Sequence, residues 1–150
     1  MYYKREIEEV LREAAAEFRV VVLTGARQTG KSTLLERLFK KSHRYVSLDD
    51  SRALRLAQED PDLFFEQYPP PLILDEIQYA PELLSPIKLR VDRSQKKGQF
   101  LLTGSQQFTM MRNLQETLAG RAALFQLLPM SLSEGRVLSQ TYRYRALIGS

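Results

Sequence analysis

The residues best suited to chemistry lie at Gly25-Ala26-Arg27-Gln28-Thr29-Gly30-Lys31-Ser32, where two glycines are followed at once by a lysine and a hydroxyl. This is the spacing G-x-x-x-x-G-K-[ST], a loop that wraps a chain of phosphates. Glycines at both ends allow the backbone to turn closely round an anion, with its N–H groups pointing inward as a nest. A helix beginning near Lys31 would add its unpaired N–H groups and the positive end of its dipole. Lys31 then supplies a full charge to the β- and γ-phosphates, and the Ser32 hydroxyl is placed to ligate Mg²⁺. Chance provides on the order of one such match in a couple of hundred chains of this length. A turn that merely joined a strand to a helix would need no Lys-Ser after its second glycine.

A second group of residues has chemistry complementary to the first. Leu72-Ile73-Leu74 runs into Asp75-Glu76. Asp75 would share the Mg²⁺ shell with Ser32, as a P-loop ATPase requires. Glu76 projects differently and would orient and deprotonate an attacking water. Phe100-Leu101-Leu102-Thr103 ends at Gly104-Ser105-Gln106, where Ser105 either contacts a γ-phosphate or only caps the next helix. Arg121 follows a helix stop at Gly120. It reads either as a surface arginine or as an arginine finger for its own phosphate or a neighbour's. Arg27 would touch phosphate or brace the loop against Asp49.

These groups need elements to hold them. Val20-Val21-Val22-Leu23-Thr24 reads as a buried strand before the loop, and Leu34, Leu35 and Leu38 give the helix after it its periodicity. Residues 4–18 form an amphipathic helix, with Ile7, Val10, Leu11, Ala14, Ala15 and Phe18 on one face. A strand at 45–48 leads to a helix at 52–58 capped by Asp50 or Ser51. Pro61 opens a further short helix, and Pro69-Pro70-Pro71 is a stiff connector. A helix from Ser85-Pro86 to about Arg93 is expected with the serine as its cap, then a helix at 110–119 and a strand at 123–128 closed by Pro129. His43, the single histidine, reads as solvated, and the tail from Gly135 to Ser150 shows no clear period. Alternating strands and helices with continuous apolar strand runs imply a parallel α/β sheet, with ligands at the carboxyl ends of its strands.

Composition narrows the classes. The 150 residues fit one domain, and 43% hydrophobic content suits a packed core. A net charge of +4 suits an anionic ligand without itself arguing for nucleic acid. The absence of cysteine excludes disulfides, thiolate catalysis and cysteine-held metals. The N-terminus has no signal-peptide core. Apolar runs fall far short of the roughly 18 residues of a membrane span, so a cytoplasmic protein without membrane contact is expected.

Gly-Ala-Arg-Gln-Thr-Gly-Lys-Ser, Tyr-Val-Ser-Leu-Asp-Asp, Leu-Ile-Leu-Asp-Glu-Ile-Gln-Tyr-Ala-Pro, Leu-Leu-Thr-Gly-Ser, and Leu-Ala-Gly-Arg before Leu-Leu-Pro-Met-Ser-Leu-Ser-Glu occur in that order. Together they resemble the AAA+-like ATP-binding proteins of bacteria and archaea whose P-loop domain precedes a C-terminal domain of unknown function. The resemblance covers roughly residues 18–134. It implies a three-layer α-β-α fold with a five-stranded, mainly parallel sheet in AAA+-like order, one strand lying between the P-loop strand and the Asp-Glu strand. It also implies ATP and Mg²⁺ as ligands, with residues 25–33 as the binding loop. Lys31, Ser32 and Thr33 would serve phosphates and metal, Asp75 would be the Walker B acid and Glu76 the catalytic acid.

Residues 1–135 are therefore expected to form the ATPase domain, and 136–150 a basic tail that is the stub of a missing C-terminal domain. Longer relatives carry there a domain often of winged-helix and nuclease-like character, through which a nucleic-acid or protein partner would act. Assembly into a homo-oligomer follows if Arg121 acts in trans. The expected activity is Mg²⁺-dependent ATP hydrolysis by a regulatory or motor module. Two alternatives stand beside it: a nucleotide-dependent switch or nucleic-acid-binding module with little turnover, and a small-molecule P-loop kinase. The inserted strand and Glu76 argue against the kinase.

Overall fold

The computed structural model describes residues 2–26, 30–105, 107–127 and 143–147. Its centre is β1 (Val20–Gly25), every residue of which is buried. β1 pairs in parallel with β4 (Phe100–Gly104) on one side and with β5 (Ala122–Leu127) on the other. Beyond β4 lie β3 (Leu72–Asp75) and the edge strand β2 (Arg44–Ser47), both parallel. The order is β2-β3-β4-β1-β5-β6, with β6 (Arg143–Leu147) antiparallel to β5. The first residues of the five parallel strands, Arg44, Leu72, Phe100, Val20 and Ala122, sit side by side in register. Their carboxyl ends consequently form one continuous rim, where α/β sheets take their ligands.

Strand alternation divides the core in two. Val20, Val22, Leu72, Leu74, Phe100, Leu102, Ala122 and Leu124 face one layer of helices. That layer contains α3 (Ser51–Glu59), α4 (Pro61–Gln67), α5 (Leu84–Ser94) and α6 (Phe108–Leu118). Val21, Leu23, Ile73, Leu101, Ala123, Phe125 and Leu127 face the other layer, α1 (Tyr2–Glu17) and α2 (Lys31–Phe39). The result is the three-layer α-β-α sandwich with the inserted strand β4 between the P-loop strand and the Asp-Glu strand.

Local chemistry explains the starts of α3 and α4. The Asp50 carboxylate accepts from the Arg52 N–H at 2.9 Å to start α3. Asp60 accepts from the Leu63 N–H at 3.1 Å, with Pro61 at the first helical position of α4. On α1, Ile7, Leu11 and Ala14 are buried while Arg12, Glu13 and Glu17 are exposed. Burying Ile7 and Leu11 contributes on the order of 1.5–3 kcal/mol each. An Arg37–Glu8 ion pair joins α2 to α1.

Three expectations need correction. Ser85 does not cap α5, which starts one residue earlier. Two 3₁₀ turns, Ile77–Tyr79 and Pro81–Leu83, lead into α5, and the Leu84 N–H bonds to the Pro81 carbonyl without side-chain help. His43 is half-buried rather than solvated. Its Nε2 lies 2.7 Å from the Gly98 carbonyl, and its ring meets Phe39 edge-on at 5.3 Å. The tail, read as aperiodic, supplies β6, and in retrospect Arg143-Tyr144-Arg145-Ala146 alternates as a strand does. Pro129 lies outside the described residues.

Candidate functional site

The carboxyl ends of β1, β4 and β3 gather most of the polar residues singled out above. Gly25 ends β1, Gly104 and Ser105 lie at the end of β4, and Asp75 and Glu76 end β3. β1 and β3 are two strand spacings apart, roughly 10 Å, a gap that a phosphate chain with a metal ion can span.

The P-loop turns into α2 through Gly30. Its φ of +84° is the left-handed conformation that glycine adopts without penalty, and the space where a Cβ would stand is open. Lys31 follows at the head of α2, only 7% exposed. Its ammonium donates to the carbonyls of Gly25 at 2.7 Å and Ala26 at 3.0 Å. The lysine thus closes the loop on itself. Ser32 is half-buried, and Thr33 and Ala26 are exposed. Arg27, Gln28 and Thr29, named for the phosphate loop, lie outside the described residues, as does Gln106.

Asp75 is 7% exposed, and three hydroxyls surround it. Thr103 Oγ1 donates to Oδ1, Tyr45 Oη donates to Oδ2 at 2.7 Å, and Ser47 Oγ donates to Oδ2 at 3.5 Å. Strand parity makes this possible. Tyr45 and Ile73 are register partners, as are Ser47 and Asp75, so all four share the sheet face that carries α2 and Ser32. Burial comes first in pushing the Tyr45 phenol well above its ordinary value, followed by the hydrogen bond to Asp75 and that carboxylate's charge. Tyr45 therefore stays protonated and remains a donor.

Glu76 leaves β3 in the left-handed region, at φ 65° and ψ 51°. This conformation is uncommon for a residue with a side chain, and the surrounding contacts enforce it. Its N–H donates to Thr103 Oγ1 at 3.0 Å, so one threonine fixes both acids. Gln78 Nε2 donates to Glu76 Oε2, and Gln78 Oε1 accepts from the Ser105 N–H at 3.2 Å. Ser105 Oγ is the one buried side-chain polar atom without a hydrogen-bond partner among the described residues.

Arg121 is not brought to this rim. It sits immediately before β5, and its carbonyl accepts from the N–H of Val20, the first residue of β1. From Val20 to Gly25 the strand rises about 16 Å, so Arg121 occupies the opposite end of the sheet from the P-loop. Its guanidinium grips Asp92 in two places, Nε to Oδ1 at 2.6 Å and Nη2 to Oδ2 at 2.9 Å, while Nη1 donates to the Ala119 carbonyl. The expectation that Arg121 reaches its own chain's γ-phosphate gives way to this placement.

A family model described as an AAA domain matches residues 17–135. The chain belongs to the AAA domain family. It is accordingly a nucleotide-binding module of the P-loop ATPase type, consistent with the rim just described. Two uncharacterised proteins, one of Mycobacterium bovis and one of Mycobacterium tuberculosis, are each 36% identical to this AAA domain over 127 residues. The match covers 83% of this chain and 28% of each relative, so the chain spans well under a third of their length. A crystal structure of a DNA replication initiation factor shares the fold, with a TM-score of 0.53 at 14% identity over 85% of this chain and 45% of that one. No helix among the described residues is long and apolar enough to cross a membrane.

Four residues around the acids were missed in the sequence: Tyr45, Ser47, Thr103 and Gln78. A usable signal existed for the first three. Once β3 is placed between β2 and β4, the same-parity polar residues at the ends of those neighbours must flank Asp75.

Proposed function

We propose that this AAA domain is a Mg²⁺-dependent ATPase that hydrolyses ATP to ADP and phosphate as a regulatory or motor module. The observation that carries the reading is the shared rim. It holds a lysine folded over the P-loop, an acid braced by three neutral donors, a second acid beside it and an unpartnered serine hydroxyl. The residues fit the ligands they would hold. Ser105 Oγ lacks a partner that a phosphate oxygen or water would supply, and Asp75 keeps about one acceptor position beyond its three hydrogen bonds. Mg²⁺ keeps several waters and binds through one or two carboxylates plus substrate phosphates, a role here for Asp75, with Ser32 beside it.

Bound Mg²⁺ would neutralise charge on the β- and γ-phosphate oxygens. Residues 25–33 would cradle the phosphates through backbone N–H groups, and Lys31 would transfer its hydrogen bonds from the Gly25 and Ala26 carbonyls to phosphate. Glu76 would orient the water and accept its proton, a contribution of about 10²–10⁴-fold. Phosphate release by wild type against Glu76→Gln tests hydrolysis, with equal rates refuting Glu76 as base. ATP binding by Lys31→Ala tests the site.

A second reading, a nucleotide switch with little turnover, draws support from Arg121. With its guanidinium committed to Asp92 at the far rim, its help to any phosphate requires release and a neighbouring copy in a homo-oligomer. The position of β4 between β1 and β3 weighs against a small-molecule kinase. We place the ATPase unit at 1–135 and read 136–150 as the basic continuation, tied to the sheet through 143–147. A nucleic-acid or protein partner would act through the further length seen in the relatives.

A further inference from the structure

We propose that Gln78 is a positioning residue for Glu76, fixing its carboxylate to the backbone at the end of β4. The inference rests on the ATPase reading above. The side-chain amide of Gln78 is used at both ends, Nε2 on Glu76 Oε2 and Oε1 on the Ser105 N–H. The primary amide presents a neutral donor and an acceptor side by side on one planar group, and Asn, the other amide, is a methylene shorter. No smaller or purely acidic side chain makes the same bridge.

The backbone is built to bring these groups together. Glu76 in the left-handed region turns the chain out of β3 into the 3₁₀ turn Ile77–Tyr79, and the Tyr79 N–H closes on the Glu76 carbonyl at 3.1 Å. The turn lies directly on β4. A Cβ added at Gly104 would stand 3.1 Å from Ile77 Cγ2 and 3.3 Å from Gln78 Oε1. Glycine at 104 therefore gives the Gln78 amide its room. Beside it lies Ser105, whose buried hydroxyl has no hydrogen-bond partner.

The consequence is mechanical. A glutamate at a strand end ordinarily samples many rotamers, and that freedom is lost when it must meet a water in one geometry. The bridge removes much of the freedom in advance. It takes one acceptor position on Oε2 and leaves the carboxylate's other lone pairs to receive a proton. Because Oε1 of the same amide is held by the Ser105 N–H, Glu76 moves with the end of β4.

The test uses Gln78→Met, close in shape but with no amide, and Gln78→Glu, which keeps an acceptor for the Ser105 N–H but loses the amide N–H that meets Glu76. ATP affinity and phosphate release are measured on both, with heteronuclear amide spectra confirming the fold. Affinity within about threefold of wild type and a turnover number about tenfold lower are expected for Gln78→Met, with a fall at least as large for Gln78→Glu. Unchanged turnover in either variant overturns the proposal. So does a loss of affinity matching the loss of rate, which would make Gln78 part of the pocket wall. The Gln78 side-chain amide signal, assigned by its disappearance in Gln78→Met, is followed in nucleotide-free protein. It is expected to shift in Glu76→Gln and to stay in place in Lys31→Ala. Wild type that binds no ATP would defeat the ATPase reading and the positioning role with it, and a shift of this signal would then show the bridge intact. An unmoved signal in Glu76→Gln, with ATP bound normally, would overturn the bridge alone.

Discussion

At the amino ends of the strands Arg121 and Arg19 both close on Asp92, whereas at the carboxyl ends Asp75 is held by the neutral hydroxyls of Thr103, Tyr45 and Ser47. The first arrangement satisfies charge with charge. The Arg121 hydrogen bonds, and then the charges of Arg121 and Arg19, hold the Asp92 carboxyl below its ordinary value despite some desolvation. The second arrangement orients a buried acid without cancelling it. Neutral donors leave the carboxylate open to a cation that arrives from outside, which an arginine partner would have pre-empted. One rim is finished as it stands, and the other is left with an unpartnered hydroxyl and a lysine resting on its own loop.

The comparison breaks most sharply at Glu76. Glu76→Gln is expected to cut phosphate release by about 10²–10⁴-fold while ATP binding persists, measured by single-turnover release and by fluorescent-nucleotide displacement. Next in size is Thr103→Val, which preserves shape but leaves Asp75 Oδ1 and the Glu76 N–H without their shared partner. A stability loss of about 1–3 kcal/mol is expected in urea unfolding, since two buried polar groups lose a hydrogen bond.

The far rim should respond differently. Asp92→Asn is expected to leave ATP binding and turnover within about twofold of wild type, because the pair lies about 16 Å from the P-loop. Its effect should appear in acid. A lowered carboxyl contributes stability above its unfolded value, near 3.9, that is lost as pH falls through the folded value. The wild-type advantage in thermal scans should therefore vanish at low pH and shrink in salt. A rise in turnover would mean that Arg121, once released from Asp92, works at a phosphate.

The smallest effect is expected at His43. Burial lowers its value below 6.5, against an opposing hydrogen bond to the Gly98 carbonyl. The folded chain thus prefers the neutral ring. Its contribution is full above 6.5 and is lost as pH falls through the folded value, so the urea midpoint of wild type should drop between pH 8 and pH 5 more than that of His43→Gln.

The P-loop was legible in the sequence because its chemistry needs contiguous residues, Gly30-Lys31-Ser32 reading the same in a string as in space. Strand and helix placement followed from apolar runs such as 20–23 and 72–74, from the cap at Asp50 and from Pro61 at a helix start. Gln78 was not legible, since it works through the 3₁₀ turn, whereas Tyr45, Ser47 and Thr103 become legible only once β3 is set between β2 and β4. Arg121 carried a usable clue in its position. A residue just before a parallel strand stands at the amino rim, away from the ligand side. The 143–147 strand was hidden by its charged residues, whose alternation with Tyr144 and Ala146 is regular but short.

Calorimetric titration of Mg²⁺–ATP into wild type, Lys31→Ala, Asp75→Asn and Arg121→Ala tests the two-rim division most directly. Binding by wild type and Arg121→Ala with equal affinity, and a loss of at least about tenfold, the worth of 1.4 kcal/mol, in Lys31→Ala and Asp75→Asn, is the expected result. Wild type without affinity for Mg²⁺–ATP, or Lys31→Ala binding as tightly as wild type, would contradict a nucleotide site at the carboxyl rim.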